Sequence, residues 1–276
     1  MSLSDRPVLL TGACGTIGRM LAERLSALGW QLRLTDLIDL PIPLPRGACF
    51  ERADLEDAAA IGRLAEGCGL ILHFGGISTE QPFETVLGPN LRGLYHIYES
   101  ARRERARVVF PSSVHAVGLY DRTDILDQDC PLRPDGYYGL SKAYGEMLAR
   151  LYWDKHAVES VLIRIGSVLT EPIDERSLST WISHDDFVRL MERCAAAERT
   201  GCSVIWGASD NARSFWRRDA RDTIGWTPLD SSDSHAERVR GLVTDDPVIE
   251  RYQGGKFVVV DYSRPDFPPR AMFEDD

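Results

Sequence analysis

The sequence predicts an α/β fold built on a doubly wound parallel sheet. Three observations carry that expectation. Short apolar runs alternate with amphipathic segments of helical length through the first half of the chain. The strand candidates Ile71-Leu72 and Val161-Leu162-Ile163 are continuously apolar, as strands covered on both faces must be. A glycine-rich turn, TGACGTIG, separates the first strand from the first helix.

Each element follows from its pattern. Residues 7–11 (PVLLT) are a short apolar strand. Ile17, Met20, Leu21, Leu25 and Leu28 then recur at three and four, a helix ended by Gly29. Residues 31–36 alternate as a strand does, and Pro41, Pro43 and Pro45 mark a loop. ACFER, a helix through Leu64, GLILHFGG, a helix over 91–103, RVVFPSS, a helix over 138–156 and SVLIRIG complete the alternation. After Gly166 the pattern loosens. Residues 202–209 (CSVIWGAS) read as a strand, 229–234 as a polar loop, and the Pro-rich end as extended. Ser183 before Asp185 and Asp186 reads as a helix N-cap with first-turn carboxylates. No repeat or low-complexity tract interrupts the 276 residues.

Composition narrows the function classes. Forty-two acidic against 32 basic residues give a net charge of −10, which repels nucleic acid in the absence of a local basic patch. Arg102, Arg103, Arg105 and Arg107 are the one candidate patch, and they read better as a solvated helix end. No secretory signal and no apolar run of membrane length is apparent. The six cysteines are scattered without a Cys-x-x-Cys pair, which points to a reducing, cytoplasmic setting. His184-Asp185-Asp186 lacks a further ligand cluster, so no metal is expected.

The glycine turn points to a dinucleotide. Gly12, Gly15 and Gly18 form G-x-x-G-x-x-G between strand and helix. One glycine permits the turn, one lets backbone N–H groups reach a pyrophosphate, and one lets helix and strand pack closely. Asp36 ends the second strand, where a carboxylate bonds both ribose hydroxyls and repels a 2′-phosphate, so NAD is expected over NADP. Asp54-Leu55 and Gly75-Gly76 follow the third and fourth strands, at the sheet edge where ligands bind; each equally suits a structural turn.

Tyr138 and Lys142 in YYGLSK lie one turn apart and share a helix face. A phenol of pKa near 10 is a poor base, and bringing it to about 7 takes roughly 4 kcal/mol of differential stabilisation, which a nearby ammonium and a positive nicotinamide ring can share. The phenolate then takes a hydroxyl proton as hydride leaves the same carbon. Ser113, at a strand end, is placed to hold the substrate oxygen beside Tyr138. The neighbouring Tyr137 lacks the four-residue spacing to lysine.

TGACGTIG, Asp36, Asn90, SSVHAVG and YYGLSK together resemble the extended branch of the short-chain dehydrogenase/reductase superfamily, over residues 7 to about 170. The resemblance implies a Rossmann-type domain over residues 1–170 and a small C-terminal substrate-binding cap over 171–276, with 202–209 returning to the main sheet. It extends the cofactor wall to Thr16, Ile17, Leu55, Asn90 and Ile165, gives Lys142 a second task in holding the ribose, and implies a homo-oligomer. HFGGIS, QPFE, SLSTWISHDDFV, VIWGASDN, GWTP and YQGGKFV narrow the resemblance to the uronate dehydrogenases over nearly the whole chain. Those enzymes oxidise C1 of galacturonate or glucuronate with NAD to an aldarolactone. A nucleotide-sugar epimerase or dehydratase is the alternative reading, disfavoured by the short C-terminal part. A silent NAD-sensing protein is a further one, disfavoured by the intact Ser/Tyr/Lys set.

The resemblance implies that Ser78, Ser113, His115, Tyr138, Ser167 and Arg176 line the sugar. Arg176 would grip the carboxylate, since a planar guanidinium suits a planar carboxylate. The residue before His115 is asparagine in the resembling enzymes and Val114 here, so one hydrogen bond to a sugar hydroxyl is missing and the epimer preference is open. Val168 and Leu169 sit where the pattern varies. Phe257 reads as a core aromatic, with a cover over the site as the other reading.

Overall fold

A computed structural model describes residues 6–264 of the chain. Seven parallel strands form one sheet in the order β3-β2-β1-β4-β5-β6-β9. They are Val8–Thr11 (β1), Leu32–Asp36 (β2), Ala48–Arg52 (β3), Leu70–His73 (β4), Arg107–Phe110 (β5), Ser160–Ile165 (β6) and Cys202–Gly207 (β9). Ser167–Val168 (β7) and Trp181–Ile182 (β8) pair separately. These two-residue strands are too short to show a period in the sequence.

The apolar runs segregate by register. Leu9 lies beside Ile71 and Ile71 beside Val108, and all three face a core shared with Ala58–Ala65 (α2), Gly93–Glu104 (α4) and Tyr137–His156 (α5). Leu10, Leu72 and Val109 point the other way, into a core with Thr16–Ala27 (α1) and His184–Ala196 (α7). Each fully buried aliphatic side chain contributes about 1.5–3 kcal/mol, which explains why the strands carry no alternation. Strand order reverses at β1, with β2 on one side and β4 on the other. The loops leaving β1 and β4 therefore diverge and open a crevice at the carboxyl edge.

Several local expectations meet a tertiary cause. The helix read over 91–103 is preceded by a π-helical turn, Leu87–Arg92, that contains Pro89. A proline has no N–H for the four-residue ladder, so the turn widens there. Ser183 caps α7, accepting from the Asp186 amide at 2.9 Å. Asp186 itself is fully buried and takes the Ser209 hydroxyl and the Leu229 and Asp230 amides, so this residue of the His-Asp-Asp run is a structural hub. Arg107 corrects the reading of the basic run. It is not a solvated helix end but a buried strand residue, 2% exposed. Its guanidinium pairs with Glu159 at 2.6 Å and donates to the Cys194 and Ala197 carbonyls at the end of α7. It therefore serves the negative end of a helix distant in sequence. Arg102 and Arg103 do lie in the last turn of α4.

Among the described residues, no helix is long and apolar enough to cross a membrane. The Pro-rich terminus read as extended lies, past residue 264, outside the described residues.

Candidate active site

A cavity of about 640 Å³ runs along the crevice. At one end stands the glycine turn. Gly12 has φ +71°, and a Cβ there would lie 2.3 Å from the Phe74 carbonyl oxygen. A Cβ on Gly18 would lie 1.9 Å from the Gly12 carbonyl oxygen, so this glycine seats α1 against the turn. Gly15 is the exposed one and lines the cavity. It is also the N-cap of α1, which has no side-chain cap bond and no acidic residue in its first turn. The free amides and the positive helix end are left for an anion.

Asp36 lines the cavity at the end of β2. Its oxygens are held by the Cys14 amide (2.9 Å) and the Leu37 amide (2.7 Å), which fix the carboxylate in place while its other lone pairs stay available. Asp54 accepts the Glu56 amide and lines the wall with Leu55. Thr16, Ile17, Gly75, Gly76 and Ile165 line it too. An uncapped helix end, a carboxylate fixed at the end of β2 and a glycine wall fit an extended dinucleotide.

Asn90 stands behind this wall and is not among the lining residues. Its amide is spent on Ile77, accepting from the backbone N–H at 2.7 Å and donating to the carbonyl, and on Ser141 at 2.9 Å. Ser141 in turn donates to the Tyr138 carbonyl. Asn90 thus ties the Gly76 loop to the helix that carries Tyr138.

Ser113, Tyr138 and Lys142 meet at the other end of the cavity. Tyr138 is 8% exposed, whereas Tyr137 turns outward against Phe83. The Lys142 Nζ lies 5.3 Å from the Tyr138 ring centroid and 5.1 Å from that of Phe110. Burial pushes the Tyr138 phenol up to about 12, with the Ser113 hydrogen bond acting the other way and Asp135 adding to the rise. Burial also brings the Lys142 ammonium down to about 8. Reaching a phenolate at pH 7 from this starting point takes on the order of 7 kcal/mol, more than the roughly 4 kcal/mol that an ordinary phenol requires. The sequence shows the Tyr/Lys spacing but not the desolvation.

The position of Tyr138 depends on a residue the sequence reading missed. Glu80 is buried, and its carboxylate accepts the Tyr137 amide (2.6 Å) and the Tyr138 amide (3.0 Å), capping α5 from 57 residues away. Burial raises the Glu80 carboxyl above its ordinary value. The available signal was negative: Gly136, at the N-cap, has no side chain to do the job. Asp135 was missed as well. It accepts His115 Nδ1 at 2.7 Å, and no local pattern joins these two residues.

Ser78 and His115 line the cavity beside the Ser/Tyr/Lys set. Phe257 lines it also, stacked on His115 at 4.0 Å between centroids and edge-on to Tyr138 at 5.8 Å. The core reading of Phe257 is corrected: a C-terminal turn, Gly255–Phe257, lays this ring over the site. Ser167 and Arg176 are not lining residues. Ser167 Oγ lies 3.0 Å from Thr180 Oγ1. Arg176 Nε donates to the Gln253 carbonyl at 2.7 Å, and its side chain packs on Gly255 in the strap that bears Phe257. Burial and the neighbouring Arg122 bring its guanidinium down to about 10. Val114 is 1% exposed and packs with Val117, Leu126 and Trp216, turned away from the cavity.

The glycine turn, the carboxylate at the end of β2 and the Ser/Tyr/Lys set together fit a dinucleotide-dependent oxidoreductase site. The chain belongs to the NAD dependent epimerase/dehydratase family, whose family model matches residues 8–216. Its relatives include uronate dehydrogenases. The uronate dehydrogenase of Agrobacterium fabrum is 45% identical over 255 residues, 91% of this chain and 96% of that protein. A mutant of the Agrobacterium tumefaciens uronate dehydrogenase, complexed with NAD, superposes with a TM-score of 0.87 at 44% identity, over 92% of this chain and 97% of the other. A glucuronic acid dehydrogenase from Chromohalobacter salexigens gives 0.87 at 41% identity, over 95% and 99%.

Proposed function

We propose that the protein oxidises C1 of a hexuronate, D-galacturonate or D-glucuronate, to the aldarolactone with NAD. The observation that carries the substrate class is Arg176. It is a guanidinium brought down by burial, with no salt bridge among the described residues, held on the strap that covers Tyr138. An arginine desolvated in this way is completed by an anion, and a planar carboxylate suits its fork.

The roles proposed for the cavity-lining residues follow from position, and those of Ser167 and Arg176 from the resemblance to the uronate dehydrogenases. NAD, when bound, accepts the hydride from C1. Tyr138 takes the C1 hydroxyl proton and Ser113 holds the same oxygen. Lys142 favours the phenolate electrostatically and holds the ribose. His115, Ser78 and Ser167 contact sugar hydroxyls, and Arg176 holds the carboxylate. The C1–H and O–H bonds break, the C1–O double bond of the lactone forms, and one proton is left on Tyr138. Residues 1–170 serve as the NAD-binding domain and 171–276 as the substrate cap, with Cys202–Gly207 lent to the sheet.

The same reading includes a homo-oligomer in the cytoplasm. Leu140, Met147 and Leu151 are exposed at 46%, 63% and 48% along one face of α5, with Tyr144 between them and Tyr95 exposed nearby on α4. Spacings of four, three and four make a helix-pairing stripe that suits a second copy. The six cysteines are all free, in keeping with a reducing compartment. Light scattering reads the copy number, and Met147→Glu is expected to lower it.

The deciding experiment is NADH formation from galacturonate and glucuronate with the purified protein. Galactose and NADP serve as controls. NADH with a uronate and NAD alone supports Arg176 and Asp36 together. A folded, NAD-binding protein silent toward both uronates overturns the substrate class and favours a nucleotide sugar.

A further inference from the structure

Behind the cavity wall, three glycines make room for one carboxylate. A Cβ on Gly118 or on Gly254 would lie 1.9 Å from Asp135 Oδ2, and one on Gly139 would lie 2.9 Å from Oδ1. These glycines come from the end of the 3-10 turn Val114–Val117, the C-terminal strap and the first turn of α5. The Gly254 amide donates to the Gly118 carbonyl and closes the socket. Within it the Asp135 side chain is fully shielded from solvent. Oδ2 accepts from His115 Nδ1 at 2.7 Å, and Oδ1 has no hydrogen-bond partner among the described residues. His115 is pinned on its other faces too. Phe257 stacks on it at 4.0 Å with planes 14° apart, and Tyr138 meets it edge-on at 5.6 Å. The ring is packed on two sides, and one of its two nitrogens is committed.

We propose that Asp135 is a positioning residue that holds His115 as the Nδ1–H tautomer, leaving Nε2 a bare acceptor that requires a hydroxyl donor on the substrate. The reasoning is inventory. A carboxylate only accepts, so the shared proton lies on Nδ1, and a neutral imidazole then has no proton on Nε2. Nε2 is the nitrogen that Asp135 does not engage, and His115 lines the cavity. A fixed acceptor selects for an O–H at one position of the sugar and rejects an analogue without it. Asp135 is not among the residues lining the cavity; apart from its charge, which adds to the rise of the Tyr138 phenol, it acts on the substrate through His115. The substrate half of this inference rests on the proposed uronate activity; the tautomer half does not.

The test has two arms. In the first, ¹⁵N-edited NMR of the imidazole nitrogens reads the tautomer without any substrate, with His115 assigned by the signal lost in His115→Ala. The expected pattern in the neutral ring is a protonated Nδ1 and a bare Nε2. A neutral ring protonated on Nε2 overturns the proposal. In the second arm, Asp135→Ala is expected to raise KM for the uronate about 10–100-fold, the weight of one mispaired buried acceptor, with kcat changed far less and NAD affinity kept. Asp135→Asn, whose amide oxygen still accepts from Nδ1–H, recovers most of that loss and covers the case in which the alanine variant does not fold. In a His115→Ala background, Asp135→Ala adds nothing further. Additive effects, or an unchanged KM in a folded Asp135→Ala, refute the role. Absence of uronate turnover in the parent protein refutes the substrate class and leaves the NMR result standing.

Discussion

Lys142→Met replaces a buried ammonium with an apolar chain of similar length, and its consequence can be worked from the structure. Lys142 is 9% exposed, and burial alone brings its amine from 10.5 to about 8. The folded state therefore holds this proton less tightly than the unfolded chain does. Below pH 8 both states are charged, and the folded state bears the whole desolvation cost, about 3 kcal/mol. Between pH 8 and 10.5 the folded amine is neutral while the unfolded one is still protonated. The unfolded state then binds more protons, and stability rises with pH. Above 10.5 both are neutral and the cost is gone. Lys142→Met is thus expected to stabilise the protein by about 3 kcal/mol near pH 7, on the order of 6–10 °C in Tm, while activity collapses. The advantage shrinks as pH approaches 10.5. Urea unfolding of both proteins at neutral pH and at pH 10 measures it, since common titrations cancel in the difference. A stability gap that does not change with pH, or a methionine variant less stable at pH 7, refutes the reasoning. Under the proposed roles, the amine is kept against its own solvation because the phenol beside it needs a positive charge.

Other outcomes follow from the same geometry. Tyr138→Phe is expected to lower kcat about 10²–10⁴-fold, the usual share of a general base, with NAD binding intact by fluorescence titration; near-normal turnover removes Tyr138 from the mechanism. Glu80→Ala strips the cap from α5 and is expected to cost about 1–2 kcal/mol in chemical denaturation, together with a loss in kcat because Tyr138 begins that helix. Glu80→Gln keeps an acceptor oxygen and is expected to fall between the two; an alanine variant as stable as the parent refutes the cap. Arg176→Lys keeps a charge but loses the planar fork, and KM for the uronate is expected to rise about a hundredfold. An unchanged KM in steady-state kinetics sends the carboxylate elsewhere.

What could be read from sequence divides along a physical line. Strand and helix order, the glycine turn, the Ser183 cap and the Tyr138/Lys142 spacing are local. Each arises from backbone periodicity or from residues within one or two turns of each other, and chain order displays it. Asp36 was legible for a related reason, since the end of a strand before a loop is itself a local feature. The site's electrostatics and supports were decided by packing. Arg107 looked like part of a solvated basic run until β5 took it inside to serve the end of α7. Glu80 and Asp135 reach their partners across 57 and 20 residues. Phe257 covers His115 because a strap near the end of the described chain folds back over α5. Val114 faces an apolar cluster because the 3-10 turn after Ser113 points it there. The height of the Tyr138 pKa and the depth of the Lys142 pKa measure burial, which depends on every segment closing around the site. Sequence by itself determined which groups exist and which share a helix face. Only the tertiary structure decided how dry those groups are, what holds them and which of them meet.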